Sequence, residues 1–288
     1  MQQRGKWIVT PALPATSGTR AEAISFDGIP LHYTVYGAGG PTILFIHGWS
    51  CHQDFWHGQM DAFGASARVV TLDLAGHGRS RAALAERAWS IGAFARDVET
   101  VADALGAQAV TLVGHSLGGA VAIESALRLG SRCRLLLGVD TFTDSAFYER
   151  RPADEIAGRR THFEADFAGA LGGMVESITG PDTDPGVTAW IAQAMALTDA
   201  AVALAALEAL LVWDIEARWP LVRCPVETIN SGRLARTGER IALHRLIVHD
   251  MEGVGHFPML ENPTAFNTLA HAILARSRHA DTAVNPTA

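Results

Sequence analysis

The stretch AVTLVGHSLGGAVAIESAL, residues 109–127, decides the fold of this chain. The apolar run before Gly114 predicts a strand that is buried on both faces. The run after Gly118 is rich in small apolar residues and predicts a helix packed closely against a sheet. Both glycines lie two positions from Ser116, where the backbone of so tight a turn leaves no room for side chains. The stretch therefore predicts a strand, a turn and a helix that together project the Ser116 hydroxyl above a sheet.

Length and composition limit the classes of protein that this chain can form. It has 288 residues, of which 48% are hydrophobic and 18% charged, enough for one large α/β domain or two small ones. The net charge of −7 supplies no basic surface, so we expect neither nucleic acid nor a membrane as a partner. A small molecule fits this charge better, and assembly into a homo-oligomer stays open.

The sequence also lacks the patterns of membrane and secreted proteins. No apolar stretch approaches the roughly 18 residues needed to cross a bilayer. The first twenty residues lack the continuous apolar core of a secretory signal. We therefore expect a cytoplasmic location.

Short apolar runs alternate with helical patterns along most of the chain. Because these runs have no polar side, they predict a mostly parallel sheet of eight strands with helices on both faces. Residues 21–26 and 31–35 flank Asp27-Gly28 and predict an antiparallel hairpin at one edge. The predicted parallel strands are residues 43–46, 69–72, 110–113, 135–139, 226–229 and 246–248.

The spacing of the strands changes once, after the sixth strand, where a long segment shows only helical patterns. This segment predicts a helical cap over the carboxyl ends of the strands, where open α/β sheets bind ligands. Its large apolar side chains could line a pocket or form the core of the cap itself. The predicted divisions are a loose arm at 1–20, the α/β core at 21–143 and 221–278, the cap at 144–220 and a flexible tail at 279–288.

The serine at the turn needs a base to become a nucleophile. A serine hydroxyl is weakly nucleophilic at neutral pH, so Ser116 requires a base within hydrogen-bond distance and an acid that orients this base. His256 is the best candidate base, because it follows the last predicted strand in a loop and lies next to a glycine.

Two strand ends could supply the acid. Asp140 follows the sixth strand, one strand beyond the serine, whereas residues 230–233, directly after the strand at 226–229, read Asn-Ser-Gly-Arg and include no carboxylate. Asp140 is therefore the predicted acid, and Asp144 and Glu227 are the alternatives. A turn or a helix cap would be the structural explanation for Asp140.

The reaction of a serine with a carbonyl also needs donors for the oxyanion. The backbone N–H of Leu117, directly after the serine, is one predicted donor. The other is the N–H of Trp49, in the loop after the strand at 43–46, where Gly48 permits a close approach. Simple packing is the alternative role for Trp49.

The three cysteines, Cys51, Cys133 and Cys224, lack the spacing of metal ligands and predict free thiols. A bridge between Cys133 and Cys224 stays open, since each precedes a predicted strand. Nothing in the chain indicates a metal, a haem or a flavin, so no cofactor is predicted. His47, His77 and His115 lie on separate loops and are best explained as structural.

These motifs resemble those of the α/β-hydrolase superfamily, of the type with a cap, over residues 21–278. The resemblance implies the α/β-hydrolase fold, with Ser116 and His256 as nucleophile and base. It also implies an acid relocated to the end of the sixth strand, because Gly232 stands near the more usual position. The matching segments are His47-Gly48-Trp49, DLAGHGRS at 73–80, GHSLGG at 114–119 and Gly255-His256-Phe257.

The leading functional hypothesis is a serine esterase acting on a small to moderate, apolar carboxylic ester through an acyl-enzyme. A lactone hydrolase or a carbon–carbon bond hydrolase with the same three residues is the first alternative. A ligand-binding protein with weak or no turnover is the second, motivated by the missing carboxylate near Gly232. Halide-dependent oxidation, which some members with similar motifs perform, is the least supported.

Overall fold

The computed structural model describes residues 17–232 and 241–284, with side chains described up to residue 276. The predicted arm at 1–20 lies mostly outside the described residues, and the first strand begins at Thr19. At the other end, the last helix continues to Val284, so the predicted boundary at residue 279 falls inside a helix.

Eight strands form one sheet in the order β1-β2-β4-β3-β5-β6-β7-β8. β1 and β2 form an antiparallel hairpin, β2 is antiparallel to β4, and every other neighbouring pair is parallel. This topology confirms the predicted mostly parallel sheet with a hairpin at one edge. The strands are β1 Thr19–Ile24, β2 Pro30–Tyr36, β3 Thr42–Ile46, β4 Arg68–Leu72, β5 Val110–His115, β6 Cys133–Val139, β7 Val226–Ser231 and β8 Ile247–Met251.

Helices cover the sheet. The first described helix, His57–Gly64, packs against the last, Pro263–Val284, and Ile91–Ala104 packs against Leu117–Leu129. A run of six helices, α4 to α9, lies between β6 and β7. The helices are α1 His57–Gly64, α2 Ile91–Ala104, α3 Leu117–Leu129, α4 Ser145–Tyr148, α5 Ala153–Ala165, α6 Phe167–Ile178, α7 Pro185–Met195, α8 Ala200–Leu211, α9 Ile215–Arg218, α10 Pro258–Glu261 and α11 Pro263–Val284.

The core lies on the central strands, where apolar side chains are buried on both faces. All residues of β3 and β5 are buried, as continuous apolar runs in a parallel sheet require. Among the strands with parallel neighbours, β8 is the exception, because it lies at the sheet edge and leaves Ile247 53% exposed. Its apolar residues predicted a strand correctly, but apolar content alone does not distinguish an edge strand from a central one.

The segment α4 to α9 forms a cap that is tied to the core by hydrogen bonds. The indole of Trp49 donates to the carbonyl of Ala203 on α8, at 2.6 Å. The hydroxyl of Ser50 donates to the carbonyl of Met195 at the end of α7, at 3.0 Å. The cap is therefore fixed to the loop after β3, which is the loop that carries the predicted oxyanion donor.

Within the described residues, no single helix is long and apolar enough to cross a membrane. α7 and α8 meet that criterion only together, and they meet at an angle of 99°. Most of α8 is buried against the rest of the protein. The same part of the chain contains no group of three or more His, Cys, Asp or Glu side chains that could hold a metal ion.

Candidate active site

Ser116 lies at the turn between β5 and α3 in a strained backbone conformation. Its φ of 51° and ψ of −123° are unusual for a residue with a side chain. A side chain at Gly114 would meet the backbone of Gly118, and one at Gly118 would meet the carbonyl of Ile46. The two glycines therefore permit the tight turn predicted from the sequence, and the turn exposes the serine at the carboxyl end of the sheet.

His256 lies in the loop between β8 and α10 and lines the same cavity as the serine. Its ring Nδ1 lies 2.6 Å from Oδ2 of Asp140. Its backbone N–H donates to the carbonyl of Ile178, the last residue of α6 in the cap, at 2.8 Å. The structure thus brings the predicted base and acid together and fixes the base from the cap side.

Asp140 directly follows β6 and also has a positive φ, of 43°. Its Oδ1 accepts a hydrogen bond from the backbone N–H of Ser231 at 2.7 Å, so both oxygens of the carboxylate have partners. Burial of the side chain raises the pKa of Asp140, but the hydrogen bonds from His256 and Ser231 outweigh burial and leave the pKa below its usual value. The carboxylate is therefore held as an anion beside the imidazole.

The two alternative acids lie elsewhere. Asp144 accepts a hydrogen bond from the N–H of Ala146 at 2.9 Å and acts as the N-cap of α4, although it lines the same cavity. Glu227 lies inside β7, where it binds His249 at 2.6 Å and Arg276 at 3.0 Å. Neither carboxylate has the contact to His256 that Asp140 makes. Gly232, near the more usual acid position, lies close to the side chain of Glu252, and residues 233–240 of that loop lie outside the described residues.

The two predicted oxyanion donors belong to segments next to the serine. Leu117 is the first residue of α3, so its N–H belongs to the helix N-terminus, where amides lack acceptors within the helix. The loop of Trp49 approaches so closely that a side chain at Gly48 would lie 3.3 Å from Cβ of Ser116. The indole of Trp49 packs against Phe163 at 5.0 Å between ring centres. The side chain thus packs against the cap, as the alternative reading expected, and leaves an oxyanion role to the backbone alone.

Glu261 is a residue that the sequence analysis missed. Its carboxylate accepts hydrogen bonds from the N–H groups of Gly255, at 2.7 Å, and Phe257, at 2.8 Å, which flank His256. The same carboxylate accepts from the N–H of Gly180, at 2.8 Å, and the hydroxyl of Thr183, at 2.6 Å, in the cap. One side chain thus joins the loop of the predicted base to the cap. The only local signal was an acidic residue in the first turn of a helix that begins with proline.

Buried groups beneath the serine fix its surroundings. The Nε2–H of His115 donates to the carbonyl of His256 at 2.8 Å, and burial lowers the pKa of His115 to about 3, so its ring is neutral. The hydroxyl of Thr141 donates a hydrogen bond to the phenol oxygen of Tyr148 at 2.7 Å, and Tyr148 lines the same cavity as Ser116. These contacts support the prediction that His115 is structural, and they add Tyr148 as a cap residue that lines the cavity of the serine.

Ser116, His256 and Asp140 line a cavity of about 270 Å³ between the sheet and the cap. This volume is just below the usual range of pockets for small molecules, which begins near 300 Å³. The other residues that line the cavity are mainly apolar. Three of them, Phe147, Met174 and Met195, are among the large apolar cap residues that the sequence predicted as possible pocket residues. The other apolar wall residues include Trp49, Ile178, Leu207, Leu210 and Phe257.

This combination defines a class of protein: an α/β sheet with a serine at a strained strand–helix turn, a histidine–aspartate pair beside it and a helical cap above. Residues 43–269 match the model of the alpha/beta hydrolase family. The chain therefore belongs to the alpha/beta hydrolase family, and the resemblance inferred from its motifs is confirmed.

Individual relatives include hydrolases. Epoxide hydrolase B of Mycobacterium tuberculosis is 31% identical over 174 residues, which are 56% of this chain and 47% of that protein. The curated relatives that match at 31–39% identity are covered over only 32–54% of their own length. The sequence similarity is therefore partial, and it does not carry the activity of any one of these proteins to this chain.

Solved structures match over nearly the whole chain. An esterase from Thermogutta terrifontis has a TM-score of 0.77 at 21% identity, covering 90% of this chain and 99% of the esterase. Est816, described as an N-acyl homoserine lactone degrading enzyme, has a TM-score of 0.73 at 25% identity, covering 87% of this chain and 99% of Est816. At 21% identity, the similarity to the Thermogutta terrifontis esterase shows a shared fold alone.

Proposed function

We propose that this protein is a serine hydrolase that cleaves a carboxylic ester of a small to moderate, apolar substrate through an acyl-enzyme. The observation that carries the proposal is the 2.6 Å hydrogen bond between His256 Nδ1 and Asp140 Oδ2, in the cavity that Ser116 lines. A buried carboxylate that binds Nδ1–H leaves Nε2 of the imidazole free to accept a proton. Membership of the alpha/beta hydrolase family agrees with hydrolysis as the reaction class.

In this mechanism, Ser116 Oγ attacks the carbonyl carbon of the ester while His256 Nε2 takes its proton. The resulting oxyanion accepts hydrogen bonds from the N–H groups of Trp49 and Leu117, each worth about 3 kcal/mol of transition-state stabilisation. His256 then returns the proton to the departing alcohol. Asp140 stabilises the imidazolium throughout, since its own low pKa keeps it ionised.

Water completes the reaction. A water molecule that gives its proton to His256 attacks the acyl carbon, and the second tetrahedral intermediate breaks down to release the acid and free Ser116. The mainly apolar walls of the cavity bind the hydrocarbon part of the substrate by the hydrophobic effect. The small volume favours short to medium acyl and alkyl groups.

A Ser116→Ala variant tests the proposed reaction. The turnover of a series of p-nitrophenyl esters, from acetate to octanoate, should fall by about 10³-fold or more, because the nucleophile is lost. Ser125→Ala is the matched control, since Ser125 lies in α3, donates to the carbonyl of Val121 and is not among the described residues that line the cavity. Full ester turnover by Ser116→Ala would overturn the proposal.

Lactone hydrolysis is the second candidate, because it uses the same groups and Est816 matches this chain over 87% of its length. A lactone is a cyclic ester, so Ser116 would open the ring and the alcohol would stay attached to the acyl-enzyme. Parallel assays with N-acyl homoserine lactones and open-chain esters of equal acyl length separate the two candidates. Cleavage of the lactones at a much higher kcat/KM would replace the simple-ester proposal.

A further inference from the structure

Cys133 and Cys224 lie side by side at the start of two neighbouring strands. Cys133 is the first residue of β6, and Cys224 lies two residues before β7. Their sulfur atoms are 3.6 Å apart, and both cysteines are free thiols. The backbones beside them are joined by a hydrogen bond from Leu136 N–H to the carbonyl of Pro225, at 3.0 Å.

This arrangement meets the spatial requirement for a disulfide. Continuing the β6–β7 register places Cys224 opposite Arg134, one residue from Cys133. With strands about 4.8 Å apart, that offset gives a Cα separation of about 6 Å, within the range of about 4.4–6.8 Å for bridged cysteines. The sulfur atoms need to approach by about 1.5 Å to bond, because an S–S bond is about 2.05 Å long. Rotation of the side chains can supply a movement of this size without moving the strands.

The pair is also accessible. Both cysteines line a second cavity, of about 680 Å³, at the amino ends of the strands and away from the candidate active site. Cys133 is buried, whereas Cys224 is partly exposed. Three arginines and one glutamate are the charged residues that line this cavity: Arg134, Arg223, Arg276 and Glu227. Arg276 and Glu227 pair with each other, so the net charge of the cavity is positive.

We infer that Cys133 and Cys224 form a redox-active dithiol, which a peroxide converts into an intramolecular disulfide. The sulfur of Cys224 attacks one peroxide oxygen, the O–O bond breaks, and the products are a Cys224 sulfenic acid and water. The sulfur of Cys133 then attacks Cys224 Sγ, forms the S–S bond and displaces hydroxide, which takes the Cys133 proton and leaves as water. Two thiols lose two electrons in total, and hydrogen peroxide gains them.

Electrostatics assign the first step to Cys224. The thiol of Cys133 donates a hydrogen bond to the sulfur of Cys224, which lowers the pKa of Cys224 and raises the pKa of Cys133. Positive charge in the cavity also favours a thiolate, the reactive form. The surroundings of Cys51 are different. Burial raises the pKa of its thiol, and its Sγ lies 3.3 Å from the carbonyl oxygen of Trp49.

The bond would enclose the whole cap. The chain between Cys133 and Cys224 contains Asp140 and all six helices from α4 to α9. Closing so long a loop restricts the unfolded chain, and in the chain-entropy model this stabilises the folded protein more for longer loops. The oxidised protein should therefore unfold at a Tm higher by several degrees than the reduced protein.

Thiol counting and peptide mapping after peroxide treatment test the inference on the full chain. The reduced protein has three thiols that react with Ellman's reagent in denaturant, and treated protein should have one, with an intact mass lower by 2 Da. Because arginines flank the cysteines, trypsin under non-reducing conditions should release residues 133–134 linked to residues 224–233. Dithiothreitol should restore three thiols and the lower Tm.

Three variants act as controls. Cys51→Ser should go from two thiols to none, whereas Cys133→Ala and Cys224→Ser should gain no internal bond and no increase in Tm. Circular dichroism checks that each variant is folded. If a substitution of Cys133 or Cys224 prevents folding, the loss of both thiols in the Cys51→Ser protein still tests for the disulfide. Three thiols remaining after peroxide, added oxygen on one cysteine without a linked peptide, or a link between two chains would each overturn the inference.

Discussion

Asp140 Oδ2 lies 2.6 Å from His256 Nδ1, although 116 residues separate the two in sequence. Asp140 follows β6, and the neighbouring strand β7 supports it through the N–H of Ser231 rather than through a carboxylate of its own. The backbone at Asp140 adopts a positive φ to place the side chain there. This geometry supports the proposed role of Asp140, at the end of the sixth strand, as the acid that orients His256.

The first prediction concerns this pair. Asp140→Asn should lower kcat for the best ester by roughly 10³- to 10⁴-fold, because an amide neither fixes the imidazole tautomer nor stabilises the imidazolium. Steady-state kinetics measure the loss, and circular dichroism checks that the fold is intact.

Asp144→Asn is the matched control for this substitution. Asp144 lines the same cavity, and asparagine replaces aspartate well at a helix N-cap. Its kcat should stay within a few-fold of the wild-type value. Equal losses in the two variants would contradict the assignment of Asp140.

The second prediction concerns Glu261, a positioning residue. Glu261→Ala removes the acceptor of two N–H groups beside His256 and of two cap groups, so kcat should fall about 10-fold or more and the Tm should decrease by several degrees. Glu261→Gln retains one oxygen and should lie between Glu261→Ala and wild type.

Glu176→Ala provides the comparison, because Glu176 is an exposed carboxylate on α6, the helix that ends beside the same loop. It should change neither kcat nor Tm appreciably. A Glu261→Ala protein with lower Tm but wild-type kcat would mean that Glu261 stabilises the cap without positioning the histidine.

The third prediction concerns the size of the substrate. Leu207→Trp should fill part of the cavity and lower kcat/KM for the longest ester that the wild type accepts by about 10-fold relative to acetate, since Leu207 is a buried wall residue. Leu197→Trp is the control, because Leu197 is 74% exposed and outside the cavity wall. An unchanged ranking of esters in Leu207→Trp would place the substrate elsewhere.

The fourth prediction concerns stability in acid. Burial lowers the pKa of His77 to about 4 and of His115 to about 3, and holds the pKa of His47 well below its usual value. The unfolded chain protonates these side chains near pH 6.5, whereas the folded protein does not, so stability present at pH 7 is lost as the pH falls. Between pH 7 and pH 5 the free energy of unfolding should drop by roughly 5 kcal/mol.

Urea unfolding at several pH values measures this dependence. His77→Gln removes one of the three titrating groups and should reduce the slope by about a third. A free energy of unfolding that stays constant between pH 7 and pH 5 would contradict the assignment of three neutral, buried imidazoles.

Much of this architecture could be predicted because it depends on local patterns. Strands buried on both faces need continuous apolar runs, and the turn at Ser116 needs glycines at fixed positions, so both are visible in one sequence. Asp140 could be predicted by elimination, because residues 230–233, which directly follow the predicted strand at 226–229, include no carboxylate. Geometry, unlike sequence, shows that its oxygen lies within hydrogen-bond distance of His256.

Contacts between distant segments could not be predicted in this way. Glu261 accepts from the backbone N–H of Gly180, about 80 positions away in the cap, and any residue except proline supplies such a group. The position of Tyr148 in the cavity of Ser116 likewise depends on how α4 packs over the sheet. Both became visible only when the cap was placed on the core.

The most direct test of the central claim is covalent labelling of the wild-type protein with a fluorophosphonate, followed by mapping of the modified residue. Attack on this probe needs an activated serine, so we predict stoichiometric labelling of Ser116, with strongly reduced labelling in Asp140→Asn. Labelling at another residue, or no labelling of folded protein that hydrolyses esters, would contradict the proposed nucleophile.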